Sequence, residues 1–320
     1  MNCCPICKNS QLTDSVRLYD DRYGYPGFFD LMRCVDCGHA FLRNNFTPDQ
    51  LTDLYSNYYP RSDFDVDQYR PYHTSGGFSA WLDGAASPAF RWVPRNVRVL
   101  DVGCGFGQSL GYLESRGCDV YGVEADENIS RVAEKFGFKV HVGLFDPDIY
   151  EPEFFDYVTM NQVVEHVTDP LAVLKGVSRI LKPGGRVVLT MPNANGVSAR
   201  LFGKKWVNWH APYHLQFFSR KSMQIASKKA NLEVVRFRTI TASAWLHYQW
   251  LHLATYPSLG VPSVFWSEWA CGKNPEAGMR VKVWKKVLNL MHTIKINHVL
   301  TRLFDALEVG DSYLFILEKP

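Results

Sequence analysis

The sequence predicts an α/β protein built on a parallel, doubly wound sheet, with a metal-knotted module ahead of it and a helical insertion late in it. Three observations predict this. A β-rich run enters a glycine turn and then a helical pattern between Asn96 and Gly117, strand and helix patterns go on alternating after it, and two CxxC pairs lie before residue 40. At 320 residues the chain exceeds one typical domain. Charged residues make up 21% and hydrophobic ones 46%, the balance of a soluble globular protein, and a net charge of +3 does not by itself imply nucleic acid as a partner. The opening MNCCPICKNS has no apolar h-region and no apolar run is long enough to span a bilayer, so a cytoplasmic location is expected.

The first module is assigned to residues 1–48. CPIC (Cys4, Cys7) and CVDC (Cys34, Cys37) each form a short knuckle, and two such knuckles can converge on one tetrahedral Zn²⁺. A redox CxxC is the competing reading, and the paired spacing favours zinc. An ion with four protein ligands is closed and structural, and it replaces the core that so short a segment cannot build. Cys3 and His39 are spare donors beside the four. Residues 49–95, rich in tyrosine and turn formers, read as a partly helical connector.

The central segment, 96–240, carries the cofactor pattern. In NVRVLDVGCGFG the run VRVL is a strand, after which Asp101 leads into Gly103, Gly105 and Gly107, and QSLGYLESRG has helical spacing. Glycines there let a ligand approach the backbone, next to the exposed N–H groups of a helix start. DVYGVEAD is the second strand, and its Glu124 stands where a carboxylate can accept both hydroxyls of an adenosine ribose. NISRVAEKFG, FKVHVG, FFDYVTMNQVVEHV, DPLAVLKGVSRIL and RVVLTMPN continue as helix, strand, strand, helix and strand, with KPGG (Lys182–Gly185) breaking the last helix from its strand. An NAD-binding enzyme is the rival, but it prefers GxGxxG.

VLDVGCGFG, the GVEAD strand tip, MNQVVEHVTDP and LKPGGRVVLTMPN, in that order and spacing, resemble class I S-adenosylmethionine-dependent methyltransferases over about Asn96 to Arg238. The resemblance implies a Rossmann-like seven-stranded sheet whose last strand is antiparallel. It implies that Asp101, Gly103, Gly105 and Gly107 line the methionine and ribose side of S-adenosyl-L-methionine, with Glu124 on the ribose. Leu144 and Phe145 fall at the adenine, and Asn161 and Gln162 near the methyl-bearing sulfur. In the same pattern Glu165 and His166 anchor a strand-to-helix turn.

Family topology then places a loop over the acceptor, here WVNWHAPYHLQFFS (Trp206–Ser219), which is closest to bacterial methyltransferases of glycan and lipid-linked pathways. Pro212 disfavours a helix that would align His210 and His214 on one metal, and no further carboxylate or histidine is near in sequence. An imidazole with an ordinary pKa near 6.5 suits removal of a hydroxyl proton. His214, and next His210, are therefore the candidate base or acceptor-orienting residues, against a purely structural reading. Ser219 reads as the N-cap of the next helix.

Strand six (Asn231–Ile240) and the last strand (residues 311–320) are separated by an insertion, 241–310, far longer than a turn needs. An aromatic stretch opens it. MRVKVWKKVLNLMHTIKINHVLTRLF follows, with Trp284, Val287, Leu288, Met291 and Ile294 at helical intervals among lysines. Such a segment either caps the domain or lies on an anionic membrane surface at the inner face. The reading is methyl transfer to a small-molecule or lipid-linked acceptor, with O-methylation of a glycan sugar or similar hydroxyl foremost. An RNA methyltransferase and a non-catalytic scaffold are the alternatives. The oligomeric state is not legible.

Overall fold

The computed structural model describes residues 3–43, 46–47, 50, 53–59, 65–73, 76–271 and 279–320. The cysteine module forms an antiparallel ribbon of β1 (Leu12–Leu18), β2 (Phe29–Cys34) and β3 (Ala40–Leu42). Its two knuckles close on each other at one end. Of the connector, Tyr69 is buried and its hydroxyl donates to the carbonyl of Gly107 at 2.9 Å. A Cβ at Gly111 would collide with that same hydroxyl, so the connector lies against the first helix of the sheet domain because residue 111 has no side chain.

The sheet domain follows from alternation. β4 (Arg98–Val102), β5 (Asp119–Glu124), β6 (Lys139–Val142), β7 (Phe155–Asn161) and β8 (Leu181–Pro192) are parallel. Val99, Leu100, Val158, Met160, Val187 and Leu189 are fully buried, as central parallel strands require with both faces covered. A two-residue strand, β9 (Gln216–Phe217), then leaves this domain and pairs with β3, so the acceptor loop completes the ribbon's sheet. Finally β10 (Glu233–Thr239) and β11 (Ser312–Glu318) pair antiparallel, and β11 inserts beside β8. The seven-stranded order is β10-β11-β8-β7-β4-β5-β6, the methyltransferase sheet with its antiparallel strand in place.

Two local expectations are revised. KPGG does not precede β8 but bulges within it: pairing jumps from Phe155–Leu181 to Tyr157–Arg186, and Gly184 takes φ +74°. The basic helix of the insertion is two helices, Met279–Thr293 and Ile296–Ala306, separated where Lys295 takes φ +67°. Leu288 turns into an apolar cluster with Val207, Leu251, Phe265 and Trp266, while Trp284, Val287 and Ile294 stay exposed. The insertion thus packs on the acceptor loop by one edge of its stripe and leaves the other edge in solvent. Among the described residues no helix is long and apolar enough to cross a membrane.

Candidate active site

The side expected to face the cofactor is assembled from β4, β5 and the glycine loop that follows β4. Gly103, Gly105 and Gly107 have φ of +74°, +56° and +77°, a region that glycine enters without strain. The loop hangs from β5, because Gly103 and Cys104 both donate their backbone N–H to Val123 O. A Cβ at Gly105 would meet no atom within 4 Å, so this glycine faces open space, the cradle a ligand needs. Glu124 spans the cradle: one carboxylate oxygen accepts from Gly105 N at 2.8 Å and the other from Asp126 N at 3.0 Å. Each oxygen keeps a second acceptor site, enough for a pair of vicinal hydroxyls.

The other residues expected at the cofactor divide by orientation. Asp101 is buried, with its oxygens taken by Ser109 Oγ and, at 2.6 Å, Thr159 Oγ1; burial pushes its carboxyl up to about 6. It anchors the loop from beneath. Leu144, just past β6, is 82% exposed, whereas Phe145 packs inward beside Gly176. Asn161 ties the tip of β7 to its neighbours, its carbonyl accepting from Ala89 N and Thr190 Oγ1. Gln162 has φ +57°, and in the orientation that satisfies both ends of its amide its nitrogen reaches Glu165 Oε1 at 3.1 Å. Cys104 is packed against Gly122, and burial raises its thiol, which suits a filler and not a nucleophile.

The acceptor loop brings His210 and His214 to a cluster that sequence spacing did not show. The carbonyl of Glu165 accepts from Leu215 N at 2.7 Å and Gln216 N at 3.0 Å, which pins the loop to the turn after β7. His166 and His214 rings then lie 4.6 Å apart, and His210 and His214 rings 4.8 Å. The tautomers follow from the partners. His166 Nδ1 faces Tyr213 O at 3.0 Å and His214 Nδ1 faces Asn208 O at 2.9 Å; a carbonyl only accepts, so both Nδ1 atoms carry the proton. His214 Nε2 is therefore a bare lone pair, and His210 Nδ1, 3.4 Å away, is its donor. That leaves His210 Nε2 a buried lone pair with no partner.

The electrostatics revise the expectation of an ordinary imidazole. Burial, then the Arg22 charge, lowers His210 well below 6.5; burial, His166 and Arg22 do the same to His214. His166 is lowered to about 4, by burial first. Burial pushes Glu165 up to about 8, so this carboxyl is neutral at neutral pH. Glu165, His166 and His214 have ligating atoms within 4.8 Å of one another, so the third histidine and the carboxylate that sequence spacing lacked are supplied by the fold. A neutral carboxyl beside imidazoles that lie in the field of Arg22 is nevertheless a poor seat for a divalent cation.

Arg22 was not singled out from the sequence, and nothing local marks it. It sits in the turn Asp20–Tyr25 of the ribbon, where Asp20 accepts the backbone N–H groups of Arg22, Tyr23 and Tyr25. Its guanidinium donates to Val207 O at 2.6 Å and lies 4.0 Å over the ring of Trp266. Tyr23 and Tyr213 rings stand 5.7 and 4.8 Å from the His210 ring. The ribbon, the acceptor loop and the insertion therefore build one wall.

At the far end of the ribbon, Cys4, Cys7, Cys34 and Cys37 have all four Sγ atoms within 4.8 Å, with Cys4–Cys37 at 3.6 Å and Cys7–Cys34 at 3.4 Å. A tetrahedral ion with Zn–S bonds of about 2.3 Å sets its sulfurs about 3.8 Å apart, so the donor set fits. Cys37 holds the Cys4 thiol down at about 4 by a hydrogen bond, and is itself raised. The spare donors stand apart from the four: His39 Nε2 pairs with Gln216 Oε1 at 2.9 Å.

Fold and cleft together define an S-adenosylmethionine-dependent methyltransferase. A family profile described as a methyltransferase domain matches residues 76–236, half of the chain, and the chain belongs to that family. The ubiquinone biosynthesis O-methyltransferase of Dechloromonas aromatica is 32% identical over 180 residues, covering 52% of this chain and 75% of that protein. The protein of the same description from Paracidovorax citrulli is 28% identical over 190 residues, covering 53% and 76%. A solved SAM-dependent methyltransferase from Archaeoglobus fulgidus overlays with a TM-score of 0.41 at 16% identity, over 71% of this chain and 86% of that one.

Proposed function

We propose that this enzyme methylates a hydroxyl of a small-molecule or lipid-linked acceptor, such as a glycan sugar, held against the histidine cluster. The observation that carries this reading is the partnerless Nε2 of His210, a buried proton acceptor whose tautomer is set by a chain of hydrogen bonds ending on Asn208 O. The relatives named above are O-methyltransferases, which supports oxygen as the atom.

Glu124 and the glycine loop would hold the ribose and methionine parts of the cofactor, with Leu144 beside the adenine and Asn161 and Gln162 beside the sulfur. When bound, S-adenosyl-L-methionine supplies a methyl group on a sulfonium with a neutral leaving group. The chain's task is then alignment and proton removal. His210 Nε2 takes the hydroxyl proton, and His214 keeps its neighbour in the productive tautomer. This reverses the order expected from sequence, which put His214 first. A base whose conjugate acid is so disfavoured is weak. It accepts the proton late, as the oxygen gains its methyl and becomes acidic. The four cysteines would hold a structural Zn²⁺. The exposed edge of the insertion, with Trp284, Val287 and Ile294 beside Lys282 and Lys286, is proposed to rest on an anionic membrane surface.

The test is mass spectrometry of glycan, quinone and lipid extracts incubated with enzyme and cofactor. A methyl-sized increment on a hydroxyl is expected. An increment on nitrogen or carbon alone would overturn the O-methyl reading.

A further inference from the structure

Arg22 is a buried cation that the reaction above does not use. It is 4% exposed, and among the described residues no carboxylate forms an ion pair with it. The acids nearest in sequence are engaged elsewhere. Asp20 accepts three backbone N–H groups, and Asp21 faces His252 Nε2 at 3.2 Å. The guanidinium donates to Val207 O and shares a side-chain hydrogen bond with Tyr23, a neutral phenol, while its Nε is buried with no partner. A buried charge left without a counter-charge destabilises a fold, and the carbonyl, ring and phenol around Arg22 carry no negative charge to offset it.

The surroundings say where an anion would sit. Arg22 disfavours the charged forms of His166, His210 and His214 alike, whereas for Tyr23 and Tyr59 burial keeps the phenols protonated and Arg22 only partly offsets it. The groups facing the guanidinium are thus neutral imidazoles and phenols, all able to donate or accept a hydrogen bond, with no fixed negative charge. An arginine fork with such neighbours matches an oxyanion. Tyr59, 36% exposed and 6.4 Å from the His210 ring, forms the outer side of the set.

We propose that Arg22 binds an oxyanion group of the acceptor, a phosphate or a carboxylate, so that the methylated hydroxyl belongs to an anionic molecule. This rests on the reading that the acceptor lies at the histidine cluster. It also gives the ribbon a role in substrate selection, since the turn that carries Arg22 is ribbon sequence. Binding of an anion would offset the field of Arg22 on the imidazoles and make His210 a better base, so only an acceptor with the charged group completes the site.

The experiment titrates the full chain, saturated with S-adenosylhomocysteine, with inorganic phosphate and separately with acetate at constant ionic strength, with glycerol as the neutral control. Imidazole ¹⁵N shifts are followed. One or both anions should saturate and move the His210 and His214 titration midpoints upward. Arg22→Gln should weaken anion binding at least about tenfold and raise the midpoints with no anion present. Arg22→Lys, which keeps charge without the fork, should fall between. Whichever anion saturates identifies the group. Midpoints unmoved by either anion in the wild type, or moved equally in Arg22→Gln, would overturn the proposal. Failure of S-adenosylhomocysteine to bind the wild type would instead strike the methyltransferase reading, and calorimetry reads that separately.

Discussion

The proposed cofactor side and the proposed acceptor side of this site are built in opposite ways. The cofactor cradle comes from one continuous stretch, Arg98 to Asp126, in which a strand, a glycine loop, a helix and a second strand meet through backbone hydrogen bonds. The acceptor wall comes from segments far apart in the chain: Arg22 and Val207 are bonded across 185 residues, and Val207 N in turn donates to Gln249 Oε1. The first is local and depends on conformations few residues tolerate. The second depends on the ribbon, the loop and the insertion docking together. Damage to the ribbon should therefore disable acceptor chemistry while leaving cofactor binding in place.

The strongest break is made at the cysteines. Cys4, Ile6, Cys34 and Cys37 belong to the same apolar core as Phe218 and Met223, so the four-cysteine cluster is joined to the sheet domain. Cys34→Ser should lower the thermal midpoint by ~10 °C and abolish methyl transfer, with S-adenosylhomocysteine affinity in the folded fraction kept. Differential scanning calorimetry and titration calorimetry check the two halves. An unchanged midpoint would show that the knot does not support the acceptor wall.

Next in size is the proposed base. His210→Ala should reduce kcat by about 10²- to 10⁴-fold with cofactor affinity held, and His214→Ala should reduce it less. Steady-state kinetics with calorimetry beside them decide it; equal losses would make the two imidazoles one unit.

What could be read in advance follows the same division. The glycine turn at Gly103, Gly105 and Gly107 and the strand-tip position of Glu124 were legible because each is a local backbone feature that few residues can form. The pairing of β10 with β11 was legible through the resemblance, despite the insertion between them. Arg22 was not, because an arginine in a tyrosine-rich turn looks like any surface cation until Trp266 and Val207 close over it. The low imidazole pKa values were also out of reach, since burial among Tyr23, Tyr213 and Trp209 is a tertiary fact. Glu165 and His166 do anchor the turn as the family pattern implies, and their side chains also face the acceptor loop.

Glu165 sharpens the contrast through pH. Its folded pKa, about 8, stands above its ordinary 4.5, so the folded state holds a proton that the unfolded chain releases between those values. Its contribution is full below 4.5 and is lost as pH rises towards 8. The histidines act oppositely: lowered in the fold, they cost stability as pH falls below 6.5. Glu165→Gln should flatten the alkaline decline by ~3 kcal/mol between pH 5 and 8 and leave the acid limb intact. Urea melts across that range measure it; an unchanged alkaline slope would place the proton elsewhere.

The smallest expected effect concerns the insertion. Cosedimentation with anionic vesicles should be weak, should fall with added salt, and should drop further in Trp284→Ser. No binding at low salt would leave the exposed edge of the stripe a solvent face.

The most direct test of the two-sided site is a crystal structure of the complex with S-adenosylhomocysteine. A two-sided site requires the ribose hydroxyls on Glu124 and the sulfur opening past Gln162 towards His210. A sulfur directed away from the histidine cluster, or a cleft closed to the adenosyl group, would contradict it.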